Sequence, residues 1–236
     1  MEIYFTNLEY ISESEAKFDD FETRHILKTM RKKIGDVIHF TDGRGRLFKG
    51  IITAIKPDLI VEHTLIKYDN GPIIRLTVAV GFIRHSRMDF IVEKGSELGI
   101  NTFIFYSSKH SQYFTHNIDR WQRIARQAIK QSLRYHLPKI VTTDYYDDFL
   151  KMAESIKHKY LADQSATQKI HEVVKTMGPH VGDDIIIAIG PEGGLTQNEI
   201  LAAQRSGFQT VSFGDFRLRT ETAVLSAASY INLFRN

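Results

Sequence analysis

Residues Ile185 to Ile189 form a β-branched apolar run that stops at Gly190, as expected of a short strand buried on both faces of a parallel sheet. A turn containing Gly190, Gly193 and Gly194 follows, with Pro191 to stiffen it and Glu192 as its only ionisable side chain. Thr196 and Glu199 then stand three apart before Ile200 and Leu201, the spacing of a capping box that starts a helix. Gly207 is placed to end that helix, Thr210 to Phe213 read as the next strand, and a polar loop, GDFRLR, leads to Thr220, the expected cap of a last helix. Strand, glycine loop, helix, strand, polar loop, helix is the grammar of an open α/β sheet, where ligands collect at the carboxyl ends of the strands. The turn has no Lys-Ser/Thr after its glycines and lacks the order of a dinucleotide fingerprint, so a phosphate cradle is disfavoured.

The rest of the chain divides by pattern. Up to about residue 70, short alternating runs (Val37 to Thr41, Leu47 to Ile55, Leu59 to Ile66) are joined by Asp42-Gly43-Arg44-Gly45 and Pro57-Asp58, which predicts a small β-barrel, with a helix over Phe21 to Met30. Asp69-Asn70-Gly71-Pro72 reads as a linker, giving expected domains 1–70 and 71–236. Beyond it strands and helices alternate: strands at Ile74 to Phe82, Thr102 to Tyr106, around Val141 and at Tyr160 to Ala162, and helices at Arg87 to Leu98, Ile118 to Arg134, Tyr145 to His158 and Thr167 to Met177.

Charge narrows the partner. The formal net charge is only +3, but Arg24 to Lys49 carries eight basic residues against Asp36 and Asp42, and Lys109 to Lys139 seven against Asp119. Both blocks read as polyanion surfaces. On the Ile118 to Arg134 helix, Trp121, Ala125, Ala128 and Ile129 fall on one face and Arg120, Arg123, Arg126, Lys130 and Arg134 on the other, predicting one packed face and one basic stripe. With Arg24, Arg31, Lys32, Lys33, Arg44 and Arg46 in the first block, Arg123, Arg126, Lys130 and Arg134 are the expected RNA contacts, made chiefly to phosphates. The sequence has no Cys, which removes disulfides, thiolate metal sites and cysteine nucleophiles; its ten His show no metal-ligand spacing, and no apolar run is long enough to cross a membrane. No metal, no membrane and a cytoplasmic location are the expectations.

The pairing of IGPEGGLTQNEI (Ile189 to Ile200) with LRTETA (Leu218 to Ala223), preceded by RMDFIVEKGSELGI (Arg87 to Ile100), WQRIARQAIKQS (Trp121 to Ser132) and HILKTMRKKIGDVIHFTDGRG (His25 to Gly45), resembles the RsmE family over almost the whole chain. That resemblance implies an N-terminal PUA-like β-barrel, a C-terminal SPOUT α/β domain tied in a trefoil knot, and a homodimer. It also implies methyl transfer from S-adenosylmethionine to N3 of a uridine in small-subunit (16S) ribosomal RNA, free or in the assembled subunit. Carried over by motif, the donor's binding residues are Leu161, Ile189, Gly190, Glu192, Gly193, Gly194, Phe213, Gly214, Leu218, Arg219, Thr220 and Ala223. Uridine N3 must lose its proton before it attacks, and Arg219 and Glu221 have the chemistries for it: a cation to hold developing negative charge and a carboxylate to accept the proton. Two other readings stand beside this one, a ribose methyltransferase acting on transfer RNA and a non-catalytic RNA-binding protein of ribosome assembly.

Overall fold

A computed structural model of the chain describes residues 2–114, 116–177 and 182–234. The chain divides into two compact units, Met1–Gly71 with Arg126–Leu137, and Pro72–Ala125 with Pro138–Asn236. The break after Gly71 falls at the expected linker, but Arg126–Leu137 belongs with the first unit, which a division by sequence order does not anticipate.

The first unit is one five-stranded sheet. Its strands are β1 (Ile3–Phe5), β2 (Glu15–Lys17), β3 (Val37–Thr41), β4 (Arg46–Ala54) and β5 (Ile60–Tyr68), in the order β1-β3-β4-β5-β2. All neighbours are antiparallel except β1 and β3. Register shifts at Leu47/Phe48 and Ile52/Ala54 bend β4 and curl the sheet, as bulges do. The Thr6 hydroxyl donates to Lys17 O, drawing the two edge strands together, so the sheet is a half-closed barrel. Inward-facing Ile38, Phe40, Phe48, Ile52 and Val61 fill it, joined by Ile26 from the turn after α1 (Asp20–Arg24). Asp19 caps α1 by accepting from Glu22 N at 2.8 Å.

Buried inside this unit is a charge pair that ties residues 108 apart in the chain. Lys130 Nζ lies 2.9 Å from both Glu22 oxygens, and Phe5 N donates to Glu22 Oε1 at 2.9 Å. Lys130 therefore points inward and not along an exposed stripe. Arg126 is half-buried, stacked 4.8 Å over the Phe5 ring and donating to Asn7 Oδ1 at 3.4 Å.

The second unit is a six-stranded parallel sheet of β6 (Arg75–Gly81), β7 (Thr102–Tyr106), β8 (Lys139–Thr143), β9 (His158–Ala162), β10 (Asp184–Ile189) and β11 (Gln209–Val211), ordered β11-β9-β10-β6-β7-β8. Helices α2 (His85–Glu97), α4 (Tyr146–Met152), α5 (Ile170–Met177), α6 (Gln197–Arg205) and α7 (Thr220–Asn232) flank it. So does the first half of α3 (Ile118–Gln131), whose Trp121 packs edge-on against Phe105 at 4.7 Å. The strand run read at Ile185–Ile189 is β10, buried along its length. Helix α4 stops at Met152, six residues short of expectation, because the chain must turn and extend again to enter β9 at His158. From β6 the sheet grows one way through β7 and β8 and the other way through β10 and β9, a reversal of strand order of the kind that opens a crevice at the strand ends.

Two stability tests follow from the first unit. Lys130→Met leaves the Glu22 carboxylate buried without its cation and should cost ~3–5 kcal/mol in chemical denaturation, while Glu22→Leu/Lys130→Met should recover most of that loss. His63, packed 4.9 Å from the Phe48 ring, has its pKa lowered from 6.5 chiefly by burial. The unfolded chain therefore binds a proton on His63 at a higher pH than the folded one does. Stability is lost as pH falls through about 6.5 toward the lower folded value, and His63→Leu should flatten the denaturation midpoint across that window.

Candidate active site

The carboxyl ends of β9 and β10 and the two loops after β10 and β11 enclose a cavity of about 690 Å³. Its walls are Ala162, Asp163 and Gln164 at the end of β9, Ile189 to Glu192, Gly194 and Leu195 at the end of β10, and Phe213 and Arg217 to Thr220 after β11, with Arg87, Ile200 and Ala223 completing the lining. All of it lies within the second unit.

The glycine turn is held from every side. Tyr106, fully buried in β7, donates its hydroxyl to Ile189 O at 3.0 Å, and burial holds that phenol protonated by pushing its pKa up. Gly194 N closes the turn on Pro191 O at 2.9 Å with Gly194 at φ +74°, a left-handed conformation that favours glycine. Pro191 lies so close to Gly81 that a Cβ there would sit 2.6 Å from its ring. Beyond the turn the capping box is present as read: Thr196 accepts from Glu199 N, and Glu199 Oε2 accepts from Thr196 N at 2.7 Å. The second Glu199 oxygen accepts from Lys109 N at 2.8 Å, and His110 Nδ1 lies 3.2 Å from Gly194 O, so the loop after β7 is latched to the glycine turn.

The polar loop after β11 is tied to the same turn. Thr220 is not the cap of α7; Arg219 occupies that position, and the Thr220 hydroxyl donates to Gly190 O at 3.1 Å. This bond joins the two loops across the floor of the cavity. Gln164 Nε2 donates to Gly214 O at 3.3 Å, fixing the third wall.

Of the residues expected to hold a donor, Ile189, Gly190, Glu192, Gly194, Phe213, Leu218, Arg219, Thr220 and Ala223 line the cavity together. Leu161 is wholly buried in β9, one residue before the lining begins; Gly193 sits at the exposed tip of the turn against His110; Gly214 braces Gln164. Glu221 stands in the first turn of α7, mostly buried, with its Oε2 lacking any hydrogen-bond partner. Arg87 was not anticipated. It pairs with Glu192 and reaches to 3.7 Å from Glu221 Oε1. The clue in the sequence was a cation in the first turn of a helix following a strand whose end faces the glycine turn, but nothing local links residues 87, 192 and 221.

The expected RNA-facing cations separate into two groups. Arg24, Arg31, Lys33, Arg44 and Arg123 are exposed, and Lys32 is half-buried. Arg46 is drawn back by an ion pair with buried Asp42, Lys130 is buried on Glu22, Arg126 lies over Phe5, and Arg134 is half-buried with burial lowering its pKa. A continuous stripe is therefore not present: Arg120 also spends its charge on Asp89 at 2.8 Å. Among the described residues no cluster of three or more His, Asp or Glu could hold a metal ion, and no helix is long and apolar enough to cross a membrane.

A parallel sheet with its crevice at the strand ends, floored by two loops joined by a hydrogen bond, has the construction of a small-molecule site in an α/β domain. Comparison with known proteins agrees and narrows the class. The family described as RNA methyltransferase domain matches residues 69–232, and the RNA methyltransferase PUA domain matches residues 18–62. The chain belongs to the RNA methyltransferase family and, within it, to the RsmE group. Its relatives include ribosomal RNA small subunit methyltransferase E of Mesomycoplasma hyopneumoniae, 29% identical over 92% of this chain and 94% of that protein. Among solved structures, a probable rRNA-methyltransferase from Porphyromonas gingivalis superposes with a TM-score of 0.84 at 28% identity, covering 100% of this chain and 98% of that one. Ribosomal RNA small subunit methyltransferase E from Neisseria gonorrhoeae, bound to S-adenosyl methionine, gives a TM-score of 0.83 at 26% identity, covering 99% and 97%.

The tie between the loops can be tested on its own. Thr220→Val removes the bond to Gly190 O, which should lower stability by ~0.5–1.5 kcal/mol in chemical denaturation. Thr220→Ser, which keeps the hydroxyl, should lose much less.

Proposed function

We propose that this protein transfers a methyl group from S-adenosylmethionine to N3 of a uridine in small-subunit ribosomal RNA. The observation that carries the reading is the cavity: two loops joined by Thr220 and Gly190, with Arg219 at its rim and Glu221 two residues further on.

The residues present suit such a donor. A cavity of about 690 Å³ is large enough for a nucleoside with an amino-acid tail, and the backbone of the glycine turn and of Leu218 to Thr220 offers polar groups to an adenine without bulky side chains in the way. Ile189, Leu195, Ile200 and Ala223 supply apolar walls for the base. Bound there, S-adenosylmethionine supplies an electrophilic methyl on a sulfonium, and much of the acceleration comes from holding it in line with the acceptor. Glu221 is the proton acceptor in this reading, and its unpartnered Oε2 is the atom free to take a proton. Arg219, exposed at the rim, holds a phosphate or the developing negative charge.

Since the reacting edge of uridine is its pairing edge, the base must be unpaired or turned out of its helix. Arg24, Arg31, Lys33, Arg44 and Arg123, all exposed, are the cations free to take the flanking backbone. The loop before α7 lines the same cavity as the glycine turn, and α7 packs on α2, β6 and β10, neighbours that a trefoil-knotted chain would also have. The homodimer in this reading rests on the family resemblance. A ribosomal RNA substrate places the reaction in the cytoplasm.

Calorimetry with the purified protein should give one S-adenosylmethionine bound per chain. Glu221→Gln should keep that affinity within about threefold while lowering methyl transfer by about 10²–10⁴. Nucleoside mass spectrometry of ribosomal RNA from a strain lacking the gene should show loss of 3-methyluridine; an unchanged level there, or loss of a 2′-O-methyl nucleoside from transfer RNA, would overturn the assignment.

A further inference from the structure

We propose that Arg87 is the group that grips the carbonyl edge of the target uracil and carries the negative charge of its deprotonated ring. This rests on the uridine-N3 reading above and adds to it a residue that neither the glycine turn nor the Leu218–Ala223 motif contains.

Arg87 lies in the first turn of α2, on the wall of the donor cavity, its side chain about 30% exposed. One end of its guanidinium is ion-paired to Glu192 in the glycine turn, and Nε stands 3.7 Å from Glu221 Oε1 in α7. Two carboxylates from two other elements thus converge on one guanidinium, and the Glu221 Oε2 beside it is buried without a partner. Of the other cations, Arg84 is exposed, with Tyr113 accepting from its Nε at 3.2 Å, and Arg217 reaches Glu192 through a backbone carbonyl at 3.5 Å. Arg217 and Arg219 also line the cavity, but among the described residues Arg87 is the lining cation with a nitrogen within 4 Å of the proposed proton acceptor, at 3.7 Å from Glu221 Oε1.

The chemistry requires a cation at this place. Uridine gives its N3 proton to Glu221; N3 then attacks, the N3–CH3 bond forming as the S–CH3 bond breaks and its electron pair stays on sulfur. Between those events the ring carries negative charge spread over N3 and its two flanking carbonyl oxygens. A guanidinium fork can donate to one of those oxygens while still oriented by Glu192, so the anion is stabilised by a group that is already in position. The same donors discriminate between bases: uracil presents a carbonyl acceptor at C4, whereas cytosine presents an amino donor there, which would face the guanidinium donor to donor.

The test uses the full chain with small subunits purified from a strain lacking the gene, with wild type first shown to form 3-methyluridine. Failure of that control refutes the functional reading and, with it, this role; the variants judge Arg87 alone. Arg87→Met should bind S-adenosylmethionine within about threefold of wild type by calorimetry, yet lower single-turnover methyl transfer by about 100-fold or more. Its rate should also begin to rise only at higher pH, because the ring must ionise without help. Arg87→Lys, which keeps the charge but not the fork, should recover part of the rate and return the pH profile toward that of wild type. Arg87→Met with a normal rate, a slow rate with an unshifted pH profile, or a loss traced to weak donor binding would each overturn the assignment.

Discussion

Everything at the candidate site depends on β10 being hydrogen-bonded along both edges. Parallel pairing to β6 on one side and β9 on the other leaves no freedom in where Ile189 ends, and the buried Tyr106 hydroxyl on its carbonyl fixes the last peptide. The glycine turn begins from that point, pressed against Gly81 below and held by the loop after β7 at its side. A second loop then needs only one anchor to complete the cavity, and the Thr220 hydroxyl on Gly190 O provides it. Preorganisation of this kind matters in methyl transfer, where alignment of three atoms contributes much of the rate and a loose loop would forfeit it.

The two units solve different physical problems. The second buries a parallel sheet, so its strands are continuous apolar runs and its cavity is built by the loops. The first curls a small sheet into a half-closed barrel and incorporates the second half of α3 through a buried Lys130–Glu22 pair. Such a pair contributes little net stability but is costly to break, which suits it to fixing how a helix seats on a sheet. Arg31, Lys33 and Arg44 stay exposed on this unit.

What could be read in advance was what is local in the chain. The Ile185–Ile189 strand, the Thr196–Glu199 box and the linker at Gly71 are each written within a few residues, and they stand where they were expected. The resemblance of two loop motifs to a known family extended this to nine of the cavity's lining residues. What could not be read depends on distant partners. Helical periodicity places Lys130 on the polar face of α3, but only the fold brings Glu22 beneath it. Thr220 has the composition of a cap, yet a carbonyl 30 residues earlier claims its hydroxyl. Arg87 belongs to the site because α2 begins where β6 ends, beside β10, a neighbourhood set by strand order and invisible to spacing.

A crystal of this protein grown with S-adenosylmethionine is the most direct measurement of the central claim. The account requires the adenine between the glycine turn and Leu218 to Thr220, with the methyl directed toward Arg87 and Glu221. Finding the donor elsewhere, or in that cavity with its methyl turned toward β9, would contradict it.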